Sequence, residues 1–253
     1  TYNVRIIGIN HDDKSDGSGK AGLTFQFVDL LNTPYYMNYP TCGTLDHFGF
    51  KEGVFNSTNK GFEYGSHDTT WTGRWEHSTN LGGWGKALLR HRMNPGVQPE
   101  GLNSGSVGRD ADDLWKQVPQ SLGQAIVAVD KRYYNGRLPD RPTLCTASDK
   151  LFLPSYSEIV AKGYAPNIAS LSNEGPVYAY YNSKATTGNA SNGALVKRQS
   201  LKDGTSSTSA WTWLLRSCDW ERDTAFLAVG DAGNPYSPRT ATQIYGIAPC
   251  FAL

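Results

Sequence analysis

Ala210-Trp211-Thr212-Trp213-Leu214-Leu215-Arg216-Ser217-Cys218 and Tyr245-Gly246-Ile247-Ala248-Pro249-Cys250-Phe251-Ala252-Leu253 carry the reading of the fold. In the first stretch Trp211, Trp213 and Leu215 occupy alternate positions, so one face of a strand reaching Arg216 is apolar. Residues 226–229 and 244–253 supply two further apolar runs, and short polar turns separate all three. The C-terminal region is therefore expected to be β-rich. Toward the N-terminus, residues 2–10 read as a strand through Val4, Ile6 and Ile7, and a polar turn follows over 11–20. In residues 23–28, Leu23, Phe25 and Phe27 alternate with Thr24, Gln26 and Val28 as a second strand.

Helical spacing enters between these ends. Trp84, Leu88 and Met93 fall near one face of residues 83–94, with Lys86, Arg90 and Arg92 off it, and Pro95 predicts a stop at Asn94. Leu114, Trp115, Val118, Leu122, Ile126 and Val129 make a second helical stripe, broken at Pro119. Residues 151–153 suggest a short strand. Ser155 with Glu158 three positions on is a capping-box pattern, predicting a helix to about Lys162 that Gly163 stops. Residues 34–81 are rich in Gly, Asn, Thr and aromatics without period, which predicts a long loop-rich insertion. No fixed-period repeat and no dividing linker appear, so one α+β domain over 1–253 is expected.

Composition excludes several functions. The 253 residues carry 24 basic and 23 acidic side chains, a net charge of +1, which gives no field to hold nucleic acid or an anionic membrane. No apolar run approaches the roughly 20 residues that span a bilayer, so membrane insertion is not expected. The chain starts at Thr1 without Met or a charged apolar leader, so any signal or upstream segment is expected to have been removed. With 27 Gly, 14 Tyr and 7 Trp against 2 Met, the chain suits short strands, turns and an aromatic recognition surface more than a helical bundle.

Familiar chemistry is missing from the motifs. Gly17-Ser18-Gly19-Lys20-Ala21-Gly22 matches the dinucleotide fingerprint as a string, yet a strand pattern follows it where a helix N-terminus is needed to hold a pyrophosphate. It reads as a turn. Asp12, Asp16 and Gly17 fall short of a calcium loop, because Lys14 takes an oxygen-ligand position and Leu23 that of the closing Glu; a solvated turn is expected there too. His11, His47, His67, His77 and His91 show no zinc-site spacing, and no Gly-x-Ser-x-Gly elbow occurs. No metal and no cofactor is expected. Cys42, Cys145, Cys218 and Cys250 lie far apart in sequence. Cys218 and Cys250 flank the β-rich segment. They are either a disulfide, worth about 2–4 kcal/mol and requiring Cα atoms within about 7 Å, or two buried thiols.

The two C-terminal stretches, with their Trp-Leu-x-Arg-Ser and Gly-x-x-Pro-x-Phe-x-Leu patterns, resemble a family of phage and bacterial proteins of C-type-lectin-like fold. The family includes the variable proteins of diversity-generating retroelements. Earlier segments agree in order: Ile9-Asn10-His11-Asp12, Gly82-Gly83-Trp84, Leu114-Trp115 with Val118-Pro119, residues 148–155 (SDKLFLPS), and Glu174-Gly175 before Tyr178. The resemblance implies an α+β, C-type-lectin-like fold with long loop insertions. It implies scaffold strands and a variable region within 211–253, and a non-enzymatic protein whose diversified face binds a protein or glycan receptor on a cell surface. A phage tail or a bacterial surface is the implied location, and a homo-oligomer would suit a fibre.

The residues expected on that face are Trp220, Glu221, Arg222, Asp223, Phe226, Asp231, Tyr236, Ser237, Arg239, Thr242, Gln243 and Tyr245. These large and chemically unlike side chains alternate with small ones, which suits a paratope better than a core. Trp211, Trp213, Phe251 and Leu253 are expected to be buried scaffold. Two other functions share such a fold: a formylglycine-generating-type oxidase, whose reactive cysteine pair would be Cys218 and Cys250, and a structural virion or envelope domain with no variable site.

Overall fold

The computed structural model describes residues 2–38, 80, 82–97, 113–136, 143–165, 171–201, 205–219, 221–222 and 224–253, with the backbone alone of 53–56, 61–64 and 169–170. The two strands expected at the N-terminus form as β1 (Val4–Ile9) and β2 (Leu23–Phe27), and they pair antiparallel. The polar stretch between them is a turn, with the Lys14 N–H donating to Gly19 O at 2.8 Å and Gly17 and Gly19 at positive φ. β13 (Cys250–Ala252) adds antiparallel to β2, and β7 (Leu151–Phe152) adds to β13, giving the sheet order β1-β2-β13-β7. A second sheet runs β10 (Trp213–Cys218), β11 (Ala225–Val229), β12 (Arg239–Thr240) in that order. Three two-stranded hairpins complete the strands: β3 (Gly53–Asn56) with β4 (Gly61–Tyr64), β5 (Val129–Tyr134) with β6 (Leu144–Asp149), and β8 (Arg198–Ser200) with β9 (Ser206–Ala210). Five short helices lie among them: α1 (Gly83–Lys86), α2 (Leu88–Met93), α3 (Gln120–Ala125), α4 (Tyr156–Ile159) and α5 (Ala179–Ser183). The fold is α+β, and the two larger sheets and the β5–β6 hairpin share one buried apolar cluster.

Local chemistry explains most boundaries. Asn94, held extended at ψ 134° by the following Pro95, ends α2 where expected. An extended Ala87 splits α1 from α2. Pro119 caps α3. The capping box of α4 is formed, the Glu158 N–H reaching Ser155 Oγ at 3.3 Å and the Ser155 N–H reaching Glu158 Oε2 at 2.9 Å. The helix nonetheless stops at Ile159, short of Lys162, because the Ala161 and Lys162 N–H groups turn to Thr186 O at 3.0 and 3.2 Å. Gly83 sits at φ 58°, where a Cβ would fall 2.2 Å from Tyr134 O, so only glycine fits between α1 and β5.

Three expectations shift. Trp211 lies outside β10, is 37% exposed, and bonds through its N–H to Lys197 O at 3.0 Å, whereas Trp213 is fully buried with its indole N–H on Leu195 O at 2.9 Å. β10 is buried at every residue, so alternation does not assign its face. Of residues 244–253 only the last few form a strand; Tyr245 instead exchanges backbone bonds with Tyr35, and Gly246 bridges to Trp213. Val129, read as the end of a helical stripe, opens β5. Of the insertion expected over 34–81, residues 34–38, β3, β4 and Asn80 are described, and the rest lies outside the described residues.

A buried ionic chain joins these pieces. Lys131 Nζ on β5 contacts Asp12 Oδ1 at 2.7 Å and Glu158 Oε1 at 2.6 Å, and it donates to the Tyr178 hydroxyl at 3.0 Å. Arg216 on β10 meets Glu158 Oε2 at 2.5 Å and donates to Leu153 O, Arg132 O and Glu174 O at 2.8–3.0 Å. Ser217 donates to the Glu174 carboxylate. A related pair lies nearby, Asp149 accepting from the Trp84 indole at 2.6 Å and Arg90 at 2.7 Å. Asp12, expected on a solvated turn, is thus buried, the Thr24 hydroxyl adding a bond at 2.5 Å. Burial would raise its carboxyl, but Lys131 and Thr24 hold it at about 2. Burial pushes Glu174 up to about 7 in spite of Arg216.

Candidate functional site

The loop after β10 and the chain after β12 converge on one side of the second sheet. Arg222, Thr224, Ala225, Pro238, Arg239, Thr240, Gln243 and Tyr245 line an open hollow of about 300 Å³. Four residues expected on a binding face therefore meet: Arg222, Arg239, Gln243 and Tyr245. The Tyr245 hydroxyl donates to Gln243 Oε1 at 2.5 Å, and the Arg239 guanidinium carbon stands 5.9 Å from the Tyr245 ring centre. Arg222 is exposed, with Nε 3.8 Å from the buried Asp219 carboxylate. The hollow thus offers two guanidinium groups, two threonine side chains, an amide and an aromatic ring, a set able to hydrogen-bond and stack but holding no nucleophile–base pair.

The remaining expected residues are placed as follows. Glu221 is exposed beside Arg222 and takes a backbone bond from its N–H to Asp219 Oδ1 at 3.1 Å. Tyr236 is half-buried and packs on the core. Burial raises its phenol, and Asp219 and Glu221 add to this. Thr242 is half-buried next to the hollow. Ser237 pairs through its backbone with Ala228, N–H to O at 3.1 Å both ways, midway along the β11 hairpin. Asp231 is exposed at the hairpin tip, where the Gly230 N–H meets Asn234 O at 2.8 Å. Asp231 does not line the hollow and is placed at the far end of the hairpin from Ala225 and Thr224. Phe226 must be removed from the face: it is fully buried in β11, its ring within the apolar cluster. Trp220 and Asp223 lie outside the described residues.

Asn80 holds the loop and was not singled out by its sequence context. Its side-chain amide nitrogen lies 3.0 Å from Asp219 O, 2.9 Å from Arg222 O and 2.7 Å from Ala225 O. Its own carbonyl accepts from the Cys218 thiol at 3.6 Å. No motif marks an asparagine for such a role; only the fold brings it across from a position 139 residues earlier.

The cysteine bridge is not formed. Cys218 closes β10 opposite Phe226, whereas Cys250 sits in the other sheet opposite Gln26 and Phe152, and both are free, buried thiols. Burial, with nearby carboxylates, pushes each thiol well above its usual range. Neither is a poised thiolate. Among the described residues no group of three or more His, Cys, Asp or Glu side chains is placed to hold a metal ion, and no helix is long and apolar enough to cross a membrane.

No curated protein and no solved structure matches the chain. A family model spans residues 66–253, which takes in every residue of the hollow and the Lys131–Glu158–Arg216 core but leaves the β1–β2 hairpin outside. Matched over most of its length, the chain belongs to the family described as "Domain of unknown function (DUF6273)".

Proposed function

We propose that the chain is a non-enzymatic receptor-binding protein of C-type-lectin-like fold whose C-terminal face, centred on the hollow between Arg222 and Tyr245, takes a protein or glycan ligand on a cell surface. One observation carries the reading: Arg222, Arg239, Gln243 and Tyr245, chosen from sequence for their recognition chemistry, line one open hollow. A rigid floor supports it, since β11 beneath is buried at every residue. Tyr and Arg anchors on a stiff support are the residues that concentrate binding energy at interfaces. The C-terminal motifs resemble those of the variable proteins of diversity-generating retroelements, a likeness that supports action on a phage tail or a bacterial surface.

The encoding locus tests this directly. A neighbouring reverse-transcriptase gene and a template repeat matching the codons for residues 211–253, with differences confined to template adenines, are the expected finding. A locus with no such repeat removes diversification from the reading. Binding of the fluorescently tagged chain to a panel of bacterial cells, with Arg239→Ala as control, tests recognition itself. Adsorption that Arg239→Ala leaves unchanged on every strain would place the binding face elsewhere.

A further inference from the structure

Strand alternation gives the first sheet two unlike faces. Thr24 and Gln26 of β2 turn to the buried polar side, toward Asp12 and the Tyr181 hydroxyl. Phe25, Phe27 and Phe251 turn the other way. Phe25 and Phe251 stack at 5.2 Å between ring centres, Phe27 meets Phe251 edge-on at 6.4 Å, and Tyr2 meets Phe27 edge-on at 5.3 Å. Opposite this aromatic floor stands a wall of Leu114, Val118, Pro119 and Leu122, from α3 and the turn before it. Between them lies a half-open recess of about 530 Å³, within the range of about 300–1,000 Å³ usual for small-molecule sites.

Its lining is chemically one-sided. Among the described residues not one charged side chain lines it, and only Gln117 and Tyr2 bring polar side-chain atoms. Both are already engaged with backbone: the Gln117 amide donates to Asp113 O at 3.3 Å, and the Tyr2 hydroxyl accepts from the Asn32 N–H at 3.4 Å. Water in such a space finds few partners, and an ionic ligand would lose hydration with nothing to replace it. Val4 at the mouth is 41% exposed, and Ile6 on the same strand is 47% exposed, so the apolar surface continues out to the rim. We infer that the recess between the Phe25–Phe27–Phe251 floor and the Val118–Leu122 wall is a second binding site, separate from the C-terminal face, for an uncharged hydrocarbon ligand.

The test is a fluorescence titration of the full chain with N-phenyl-1-naphthylamine, an uncharged apolar probe. Saturable uptake of one probe per chain is expected, with displacement by 1-dodecanol at least tenfold more effective than by dodecylammonium. Leu122→Trp, which fills the recess, is expected to weaken uptake at least tenfold while leaving the melting temperature unchanged. Should that variant fail to fold, Val118→Asp, which places a charge in the wall, is expected to act likewise, and the alcohol-to-ammonium ratio on the unaltered chain stands without either. Absence of saturable uptake, equal displacement by both competitors, or uptake that two folded variants leave intact would overturn the inference. A signal that rises with chain concentration alongside dimer in light scattering would also overturn it, assigning the apolar face to a second copy of the chain.

Discussion

Lys131→Met is the sharpest probe of how this fold is held. The substitution keeps the stem and removes an ammonium that is 2% exposed, touches two carboxylates at 2.6 and 2.7 Å, and lies 4.4 Å from the Phe152 ring centre. Asp12 then has only the Thr24 and Tyr178 hydroxyls, and Glu158 only Arg216 and the Ser155 backbone, to offset burial. Breaking a buried pair from one side costs about 3–5 kcal/mol, mostly the price of the charge left behind. For a chain of this size that lowers the melting temperature by roughly 6–20 °C, at about 2–4 °C per kcal/mol. Urea unfolding of both proteins at pH 7 and pH 4 measures it. The deficit should narrow at pH 4, because Asp12 without Lys131 loses what holds its pKa near 2 and takes up a proton instead of paying for desolvation. Asp12→Asn in the Lys131→Met background should restore at least about 1 kcal/mol. A deficit under about 1 kcal/mol at pH 7, or one equal at both pH values, would refute the account of Lys131 as the charge that makes this core tolerable.

Four further outcomes are expected. Glu174, with its folded pKa pushed up to about 7 from 4.5, binds more protons folded than unfolded, so its contribution to stability is lost as pH rises from about 4.5 to 7; Glu174→Gln should flatten the urea-midpoint profile in that window. Lys197, lowered to about 7 by burial while donating to Phe27 O and Val28 O, binds fewer protons folded, so stability should climb between about pH 7 and 10.5. Lys197→Met should abolish that climb. Trp213→Ala should cost about 3–5 kcal/mol through an unfilled cavity, whereas Arg239→Ala should shift stability by only about 0.5 kcal/mol yet weaken adsorption to a bound cell strain by about 1–4 kcal/mol; parallel melting and adsorption measurements read both. Asn80→Ala should remove a side-chain donor from the Asp219, Arg222 and Ala225 carbonyls, the last of which keeps the Asp219 N–H, costing about 1–3 kcal/mol and speeding amide exchange in residues 219–225.

Legibility in the sequence followed locality. The β1–β2 hairpin, the stop at Asn94, the Pro119 break and the Ser155–Glu158 box were readable because each depends on residues a few positions apart. Alternation failed at β10, which is buried on both faces and therefore shows no polar side to fix its register. It also misjudged Phe226, because a short strand of AFLAV has no alternation to read. Asp12 looked like a turn residue beside Lys14 and Asp16; its partner Lys131 is 119 residues away, and no local signal joins them. The motif segments 9–12, 82–84, 148–155 and 174–178 could be set in order along the chain, yet only the structure brings Asp12, Trp84, Asp149, Glu174 and Arg216 into buried ion pairs and hydrogen bonds. Of the residues expected on a binding face, Arg222, Arg239, Gln243 and Tyr245 line one hollow, whereas Asp231 is at the hairpin tip, a placement that hairpin geometry sets and composition does not show.

Among the described residues, the Asn80 side-chain nitrogen grips the 219–225 loop at three main-chain carbonyls. Every amino acid, proline included, supplies a carbonyl, so this clamp is blind to side-chain identity. Substitution at Glu221 or Arg222 changes what the surface presents without loosening what holds it. Holding the loop and setting its surface chemistry thereby fall to different atoms of the same residues, the backbone oxygens to one and the side chains to the other. A loop built this way can explore sequence at little cost in stability, and its tolerance to replacement should exceed that of any other segment bordering the core.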